Sequence, residues 1–194
     1  MEQNDALELY RRTGAYLEGH FRLSSGLHSP GYMQSALVLQ HPADAASLGQ
    51  SIAAHVKSWN SNVVLSPALG GLIIGHEVAR ALGVRAIFAE RAGGAALTLR
   101  RGFSLASSDR VLVVEDVFTT GKSTRETLDV AREAGAGVVG AAAIIDRSGG
   151  TIHFGVPSFA LVSLAVPTYE PEKCPLCAQG IPVVKPGEPI RSQI

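Results

Sequence analysis

A chain of 194 residues, 46% hydrophobic and 18% charged, is most simply one domain with a sizeable core, leaving room for a short appendage. Its 17 basic and 17 acidic residues cancel, which argues against non-specific nucleic-acid binding but leaves local basic clusters for an anionic small molecule. The apolar run 138–145 falls far short of a bilayer span, and the N-terminal MEQNDALELYRR lacks the basic-then-apolar pattern of a secretory signal, so a cytoplasmic protein is expected.

In chain order, residues 5–13 read as a short amphipathic helix with Leu7, Leu9 and Tyr10 as its apolar members. Gly14, Gly19 and Gly26 then punctuate strand-like pieces in FRLSSGLHSPGYMQSALVL. A helix over 43–59 follows, with Leu48, Ile52, Val56 and Trp59 as its buried stripe and Asp44 suited to the dipole at its start. From there strands and helices alternate: strand 62–65, loop Ser66-Pro67-Ala68-Leu69-Gly70-Gly71, helix 72–82 closed by Gly83, and strand 85–89 ending at Glu90-Arg91. Residues 92–108 are glycine-rich and then basic, which suggests a mobile loop or hairpin. Strand 111–115, helix 123–134 stopped by Gly135-Ala136-Gly137, strand 138–145 ending in Asp146-Arg147, and strand 159–165 complete the series. Such alternation predicts an α/β fold with a mostly parallel sheet covered on both faces, and ligands in such sheets bind beyond the carboxyl ends of the strands. The polar clusters all lie at such ends. From Pro167 onward six prolines predict an extended arm with few regular elements, able to cover the site or a neighbouring subunit.

The densest chemistry lies in residues 110–123, RVLVVEDVFTTGKS. An apolar strand ends in two acids, Glu115 and Asp116; a hydroxyl- and glycine-containing turn, Thr119-Thr120-Gly121, leads into a helix near Ser123. Backbone N–H groups at such a turn and helix start favour an anion, and the carboxylates accept from sugar hydroxyls. Gly121-Lys122-Ser123 mimics the end of a nucleotide P-loop, but that pattern needs a glycine where Asp116 stands, and the dinucleotide pattern GxGxxG is absent. The bland alternative is a plain strand-to-helix turn with a cap, which leaves an acid pair on a buried strand tip without a polar role. Two cysteines, Cys174 and Cys177 in Cys-Pro-Leu-Cys, make half of a zinc-ribbon pattern. The other half would come from His153 and a further ligand, or from a second subunit; otherwise the pair is a tight turn with reduced thiols.

The 110–123 segment resembles the signature of the type I phosphoribosyltransferases, which bind phosphoribosyl pyrophosphate (PRPP). The stretch from Phe21 to Tyr32, FRLSSGLHSPGY, and the IIDR ending at Arg147 are similar to segments of the orotate phosphoribosyltransferases, and the resemblance runs from about Gly19 to the CPLC tail. It implies the type I phosphoribosyltransferase fold over residues 1–194, with 1–42 and 167–194 as a small hood or arm. It also implies synthesis of orotidine 5′-phosphate from orotate and PRPP with Mg²⁺, in pyrimidine (UMP) synthesis, by a homodimer with shared active sites. In that reading Glu115 and Asp116 bind the ribose hydroxyls. The segment Val117, Phe118, Thr119, Thr120, Gly121, Lys122 and Ser123 surrounds the 5′-phosphate. Ala68, Leu69 and Gly70 contact pyrophosphate through a strained peptide. Arg91 reaches PRPP across the dimer, with Arg100 and Arg101 in the closing loop. Tyr32, Thr119 and Arg147 hold orotate, Arg147 by its carboxylate; the plain alternative for Arg147 is an ion pair with Asp146. Mg²⁺ would have few protein ligands.

The chain departs from many members in three places: Ser24 and Leu69-Gly70 stand where lysines are common, and between Arg91 and Gly102 the only basic residues are Arg100 and Arg101. Arginine neutralises a diphosphate but does not donate a proton near neutral pH. Either charge stabilisation suffices, or an acid lies elsewhere; His28 is a candidate, its ordinary reading being a surface histidine. Two rival readings share the PRPP motif: a purine-base phosphoribosyltransferase, and a non-catalytic PRPP-binding regulator of the same fold.

Overall fold

A computed structural model describes residues 1–23, 25–91, 93 and 96–186. Helix α1 (Gln3–Arg12) leads into a two-stranded antiparallel hairpin, β1 (Tyr16–Arg22) and β2 (His28–Met33). The short α2 (Ser35–Leu39) and the longer α3 (Pro42–Val56) follow. The α/β core then runs β3 (Val63–Pro67), α4 (Gly71–Leu82), β4 (Arg85–Arg91), β5 (Leu97–Leu99), β6 (Arg110–Phe118), α5 (Lys122–Glu133), β7 (Gly137–Asp146) and β8 (Ser158–Ser163). Its sheet has the order β5-β4-β3-β6-β7-β8, parallel throughout except for β5. The expected α/β fold with a mostly parallel, helix-flanked sheet is therefore present. No helix among the described residues is long and apolar enough to cross a membrane.

Strand alternation divides the core into two layers. Leu112 and Val114 face a cluster with Ile52 and Val56 of α3 and Ile74 and Val78 of α4. Val111 and Val113 face the opposite cluster, with Leu128 and Ala131 of α5. Gly49 makes the first layer thin: a Cβ there would lie 2.6 Å from the Glu77 Cβ, so α3 crosses α4 nearly backbone to backbone.

Three expectations change. SALVL, read with the strand-like pieces, forms α2, where the Cα trace must turn from the hairpin into α3. The 43–59 helix tightens into a 3₁₀ turn at Lys57–Trp59 before Asn60 takes a left-handed conformation. Strand 111–115 extends to Phe118, because β7 continues beside it to the Phe118↔Asp146 pair. Of the 92–108 segment, β5 pairs antiparallel with the end of β4; Ala92, Gly94 and Ala95 lie outside the described residues, as do Ser24 and residues 187–194. Among its described residues the proline-rich arm carries a 3₁₀ turn (Pro171–Lys173) and α6 (Pro175–Ala178) as its helical elements. Backbone hydrogen bonds join it to the hairpin at two points, His28 with Tyr169 and Arg22 and His20 with Val184.

Candidate active site

From β3 the chain builds outward through β4 and β5; it then returns to β6 and builds the other way. The β3/β6 junction is thus the topological switch point, where open α/β sheets bind ligands at their carboxyl ends. The β3–β6 ladder stops at Leu65↔Val113, while β6 runs on beside β7. A cleft of about 260 Å³ lies beyond this point, lined by Tyr32, Met33, Pro67, Ala68, Gly70, Glu115, Asp116, Val117, Thr119, Ser123 and Arg147.

The β3–α4 turn forms one wall. The Ala68–Leu69 peptide is cis, the Ala68 N–H donates to the Ala89 carbonyl at 2.8 Å, and the Leu69 side chain is 82% exposed. Gly70 has to be small, since a Cβ there would stand 2.6 Å from Asp116 Oδ1. The acid pair forms the floor. Glu115 is buried and accepts from Ser123 Oγ at 2.8 Å and from the Asp116 N–H at 3.3 Å. Burial, and then the neighbouring Asp116 charge, push its carboxyl well above the usual carboxylate range. Asp116 is the partly exposed member and faces the cleft.

Thr119 and Ser123 reach the cleft, while Thr120, Gly121 and Lys122 form the turn beside it. Gly121 caps α5 at φ 74°, and a Cβ there would meet the Phe154 ring at 2.8 Å. Arg125 fixes the turn by donating to the Thr120 carbonyl at 2.8 Å. The first-turn amides of α5 have no intrahelical acceptor, which together with Lys122 makes this end attractive to anions. Phe118, grouped with the phosphate segment from sequence, has its side chain in the core 4.8 Å from the Phe154 ring; strand alternation sends Val117 to the cleft and Phe118 away.

Arg147 closes the opposite wall. Its Nη2 donates to Ser29 Oγ at 3.2 Å and to the Gly31 carbonyl at 3.3 Å, both on β2. Burial lowers its pKa, with Tyr32 and Tyr16 acting the other way. The expected alternative, an ion pair with Asp146, does not form: Asp146 accepts from the Ser148 and Gly150 N–H groups at 2.7 and 3.0 Å. Among the described residues Arg147 makes no salt bridge. Tyr32 lies beside it, its hydroxyl pKa raised by burial and by the Asp116 charge.

The other arginines stand outside the cleft. Arg91 pairs with Glu126 of α5. Arg101 makes a forked contact with Glu90 at 2.8 and 3.0 Å, and Arg100 lies 3.9 Å from the same carboxylate. His28 is neither on the surface nor in the cleft; it is buried against His20 and Cys177. His153 lies apart from the cysteines, its backbone carbonyl accepting from Arg125. Sequence reasoning missed Met33 and Pro67 as lining residues, and Ser29 and Gly31 as holders of Arg147. Met33 and Pro67 adjoin assigned positions, which was their only signal.

The phosphoribosyl transferase domain family matches residues 35–154. An orotate phosphoribosyltransferase of Pelotomaculum thermopropionicum is 51% identical over 96% of this chain and 98% of its own. The chain belongs to the orotate phosphoribosyltransferase family. A second member of that family, from Thermus thermophilus, is 50% identical over 92% of this chain and 98% of its own. The crystal structure of orotate phosphoribosyltransferase from Aeropyrum pernix superimposes with a TM-score of 0.67 at 26% identity, covering 81% of this chain and 92% of that one. The type I phosphoribosyltransferase fold expected for this family is thus the one observed.

Proposed function

We propose that this protein transfers the phosphoribosyl group of PRPP to orotate, giving orotidine 5′-phosphate and pyrophosphate, the reaction by which its close relatives are named. The observation that carries the reading is Arg147: a half-buried guanidinium with no salt bridge among the described residues, facing the same cleft as Asp116. A desolvated charge without a counter-ion is costly, and a planar carboxylate matches its fork. A purine base brings no carboxylate and would leave that charge unanswered.

Orotate would lie between Tyr32 and Thr119 with its carboxylate on Arg147. The ribose hydroxyls of PRPP would reach Glu115 and Asp116. The turn Thr119–Ser123 and the start of α5 would hold the 5′-phosphate, and Ala68-Leu69-Gly70 the pyrophosphate. Pyrophosphate leaves the anomeric carbon through an oxocarbenium-like transition state, and orotate N1 attacks from the opposite face. The chain's contribution is orientation and charge stabilisation; no covalent nucleophile is needed. The donor set fits Mg²⁺ held mainly by the substrate's own oxygens. Asp116 alone offers an accessible carboxylate, because Glu115 is buried and engaged with Ser123. Bound there, Mg²⁺ would neutralise the diphosphate charge.

Arg91, Arg100 and Arg101 would act on the pyrophosphate of a second subunit, in a homodimer with shared sites. Their present partners include Glu126 and Glu90, and the more highly charged diphosphate would compete with these carboxylates for the guanidinium forks. The β1–β2 hairpin and the arm would form a hood over the base, completing one domain. With PRPP as its donor, the enzyme would work in the cytoplasm, in UMP synthesis.

The test is pyrophosphate release from PRPP and Mg²⁺ with orotate, adenine, guanine or hypoxanthine as acceptor. Release with orotate alone supports the assignment. Release only with a purine base would select the purine reading, and PRPP binding without release on any base would select the regulator.

A further inference from the structure

The two cysteines converge with two imidazoles from the opposite end of the chain. His20 lies on β1 and His28 on β2, both buried, and Cys174 is 3% exposed. One donor atom from each of His20, His28, Cys174 and Cys177 lies within 4.8 Å of the other three. Cys174 Sγ is 3.4 Å and Cys177 Sγ 3.8 Å from His20 Nε2, and Cys177 Sγ is 3.3 Å from His28 Nδ1. A tetrahedral zinc with bonds of about 2.3 Å to sulfur and about 2.0 Å to nitrogen sets sulfur and nitrogen about 3.5 Å apart. The three separations bracket that value. The two nitrogens, 2.9 Å apart, need only open by a few tenths of an ångström.

Two further features suit a metal. His20 Nδ1 is 2.7 Å from the Ile181 carbonyl, which can only accept. The neutral imidazole therefore carries its proton on Nδ1 and points a bare Nε2 at the cluster, the orientation that an outer hydrogen bond gives a metal-bound histidine. The cysteines also sit on a tight knuckle: Cys174 precedes α6, the Gly180 N–H donates to the Cys177 carbonyl at 2.9 Å, and Gly180 has φ +69°. Between Pro167 and Pro186 only Cys174 is buried, so the arm has no apolar core of its own. Such segments need a staple.

We propose that His20, His28, Cys174 and Cys177 bind a structural zinc ion that fastens the C-terminal arm to the β1–β2 hairpin. Binding displaces the two thiol protons. The resulting site, one Zn²⁺ with two thiolates and two neutral imidazoles, has no net charge, which suits its burial. The ligands lie up to 157 residues apart, so the ion closes most of the chain into a loop. It also steadies β2, whose Ser29 and Gly31 hold Arg147 and whose Tyr32 lines the cleft.

Elemental analysis of the full chain, purified reduced and without chelator, should find about one zinc per chain. Chelation should remove it, lower Tm, expose the arm to protease between residues 167 and 186, and raise the orotate KM more than that for PRPP. Refilling the stripped chain with Co²⁺ should give a thiolate-to-cobalt charge-transfer band and the visible bands of a tetrahedral site. Cys174→Ser with Cys177→Ser should abolish both zinc and bands. Should that variant fail to fold, the Co²⁺ spectrum of the unmodified chain decides. A reduced, folded chain that holds no zinc and takes up Co²⁺ without the charge-transfer band would overturn the proposal, as would a Cys174–Cys177 disulfide in the freshly isolated protein.

Discussion

Replacing Arg147 with methionine separates binding from folding, because the two effects have opposite signs. In the free protein the guanidinium is partly desolvated, forms no salt bridge among the described residues, and makes two long hydrogen bonds, 3.2 and 3.3 Å, to Ser29 Oγ and the Gly31 carbonyl. Both bonds are long, so each falls short of the roughly 1.5–3 kcal/mol net of a good bond to a charged group, and neither partner is orphaned, because Ser29 Oγ donates to the Gly31 carbonyl at 2.9 Å; little net stability should be lost. Methionine keeps much of the volume and removes the unpaired charge, and Tm should stay within about 2 °C or rise. Orotate loses the partner of its carboxylate. Truncating one member of a desolvated, hydrogen-bonded charge pair costs about 2–5 kcal/mol; taking roughly 3 kcal/mol, the orotate KM should rise about a hundredfold. The KM for PRPP should change less than about threefold, since the guanidinium is held by Ser29 and Gly31 of β2 and makes no contact with the phosphate turn among the hydrogen bonds of the described residues. The assay is initial rate at varied orotate and PRPP, beside thermal unfolding of both proteins. A Tm loss of several degrees with parallel rises in both KM values would refute the reasoning and make Arg147 a structural residue.

Glu115 has a folded-state pKa raised by burial, so folding takes up a proton and stability falls as pH climbs from the ordinary carboxylate value toward the raised one. Glu115→Gln should therefore raise Tm by a few degrees at about pH 7.5, with the gain vanishing near about pH 4, while activity drops; an equal gain at both pH values would contradict this. Gly70→Ala puts a Cβ 2.6 Å from Asp116 Oδ1 and should displace that carboxylate, raising the PRPP KM at least about tenfold (roughly 1.4 kcal/mol) with little change in far-ultraviolet circular dichroism. Gly49→Ala drives a methyl into the Glu77 backbone, 2.8 Å away, and should cost about 1–3 kcal/mol by overpacking; at about 2–4 °C per kcal/mol, thermal unfolding should show it without a change in either KM.

Local chemistry carried much of this molecule into its sequence. The valine run of β6, the glycine stop of α4 and the acid pair followed by a hydroxyl turn each depend on neighbours in the chain, and each was readable. What escaped depends on partners distant in sequence. Strand β6 reaches Phe118 because β7 lies beside it, and the added residues decide which side chains face the cleft. Phe118 was read with its neighbours as a ligand contact, yet strand alternation turns it into the core against Phe154. SALVL was grouped with the strand-like pieces before it, although Ala36, Leu37 and Leu39 are good helix formers; together with the turn from the hairpin into α3 they make it helical. His20 and His28 gave no sign of meeting Cys174 and Cys177, which sit over a hundred positions downstream. The pairing of Arg147 with Ser29 and Gly31, rather than with adjacent Asp146, was hidden for the same reason.

The central claim is that this cleft joins orotate to the ribose of PRPP. Its most direct test is the ultraviolet absorbance of orotate after mixing with PRPP, Mg²⁺ and the purified chain. The account predicts a fall that requires both PRPP and Mg²⁺ and reverses when pyrophosphate and orotidine 5′-phosphate are supplied instead. An unchanged spectrum from folded protein that still binds PRPP would contradict it.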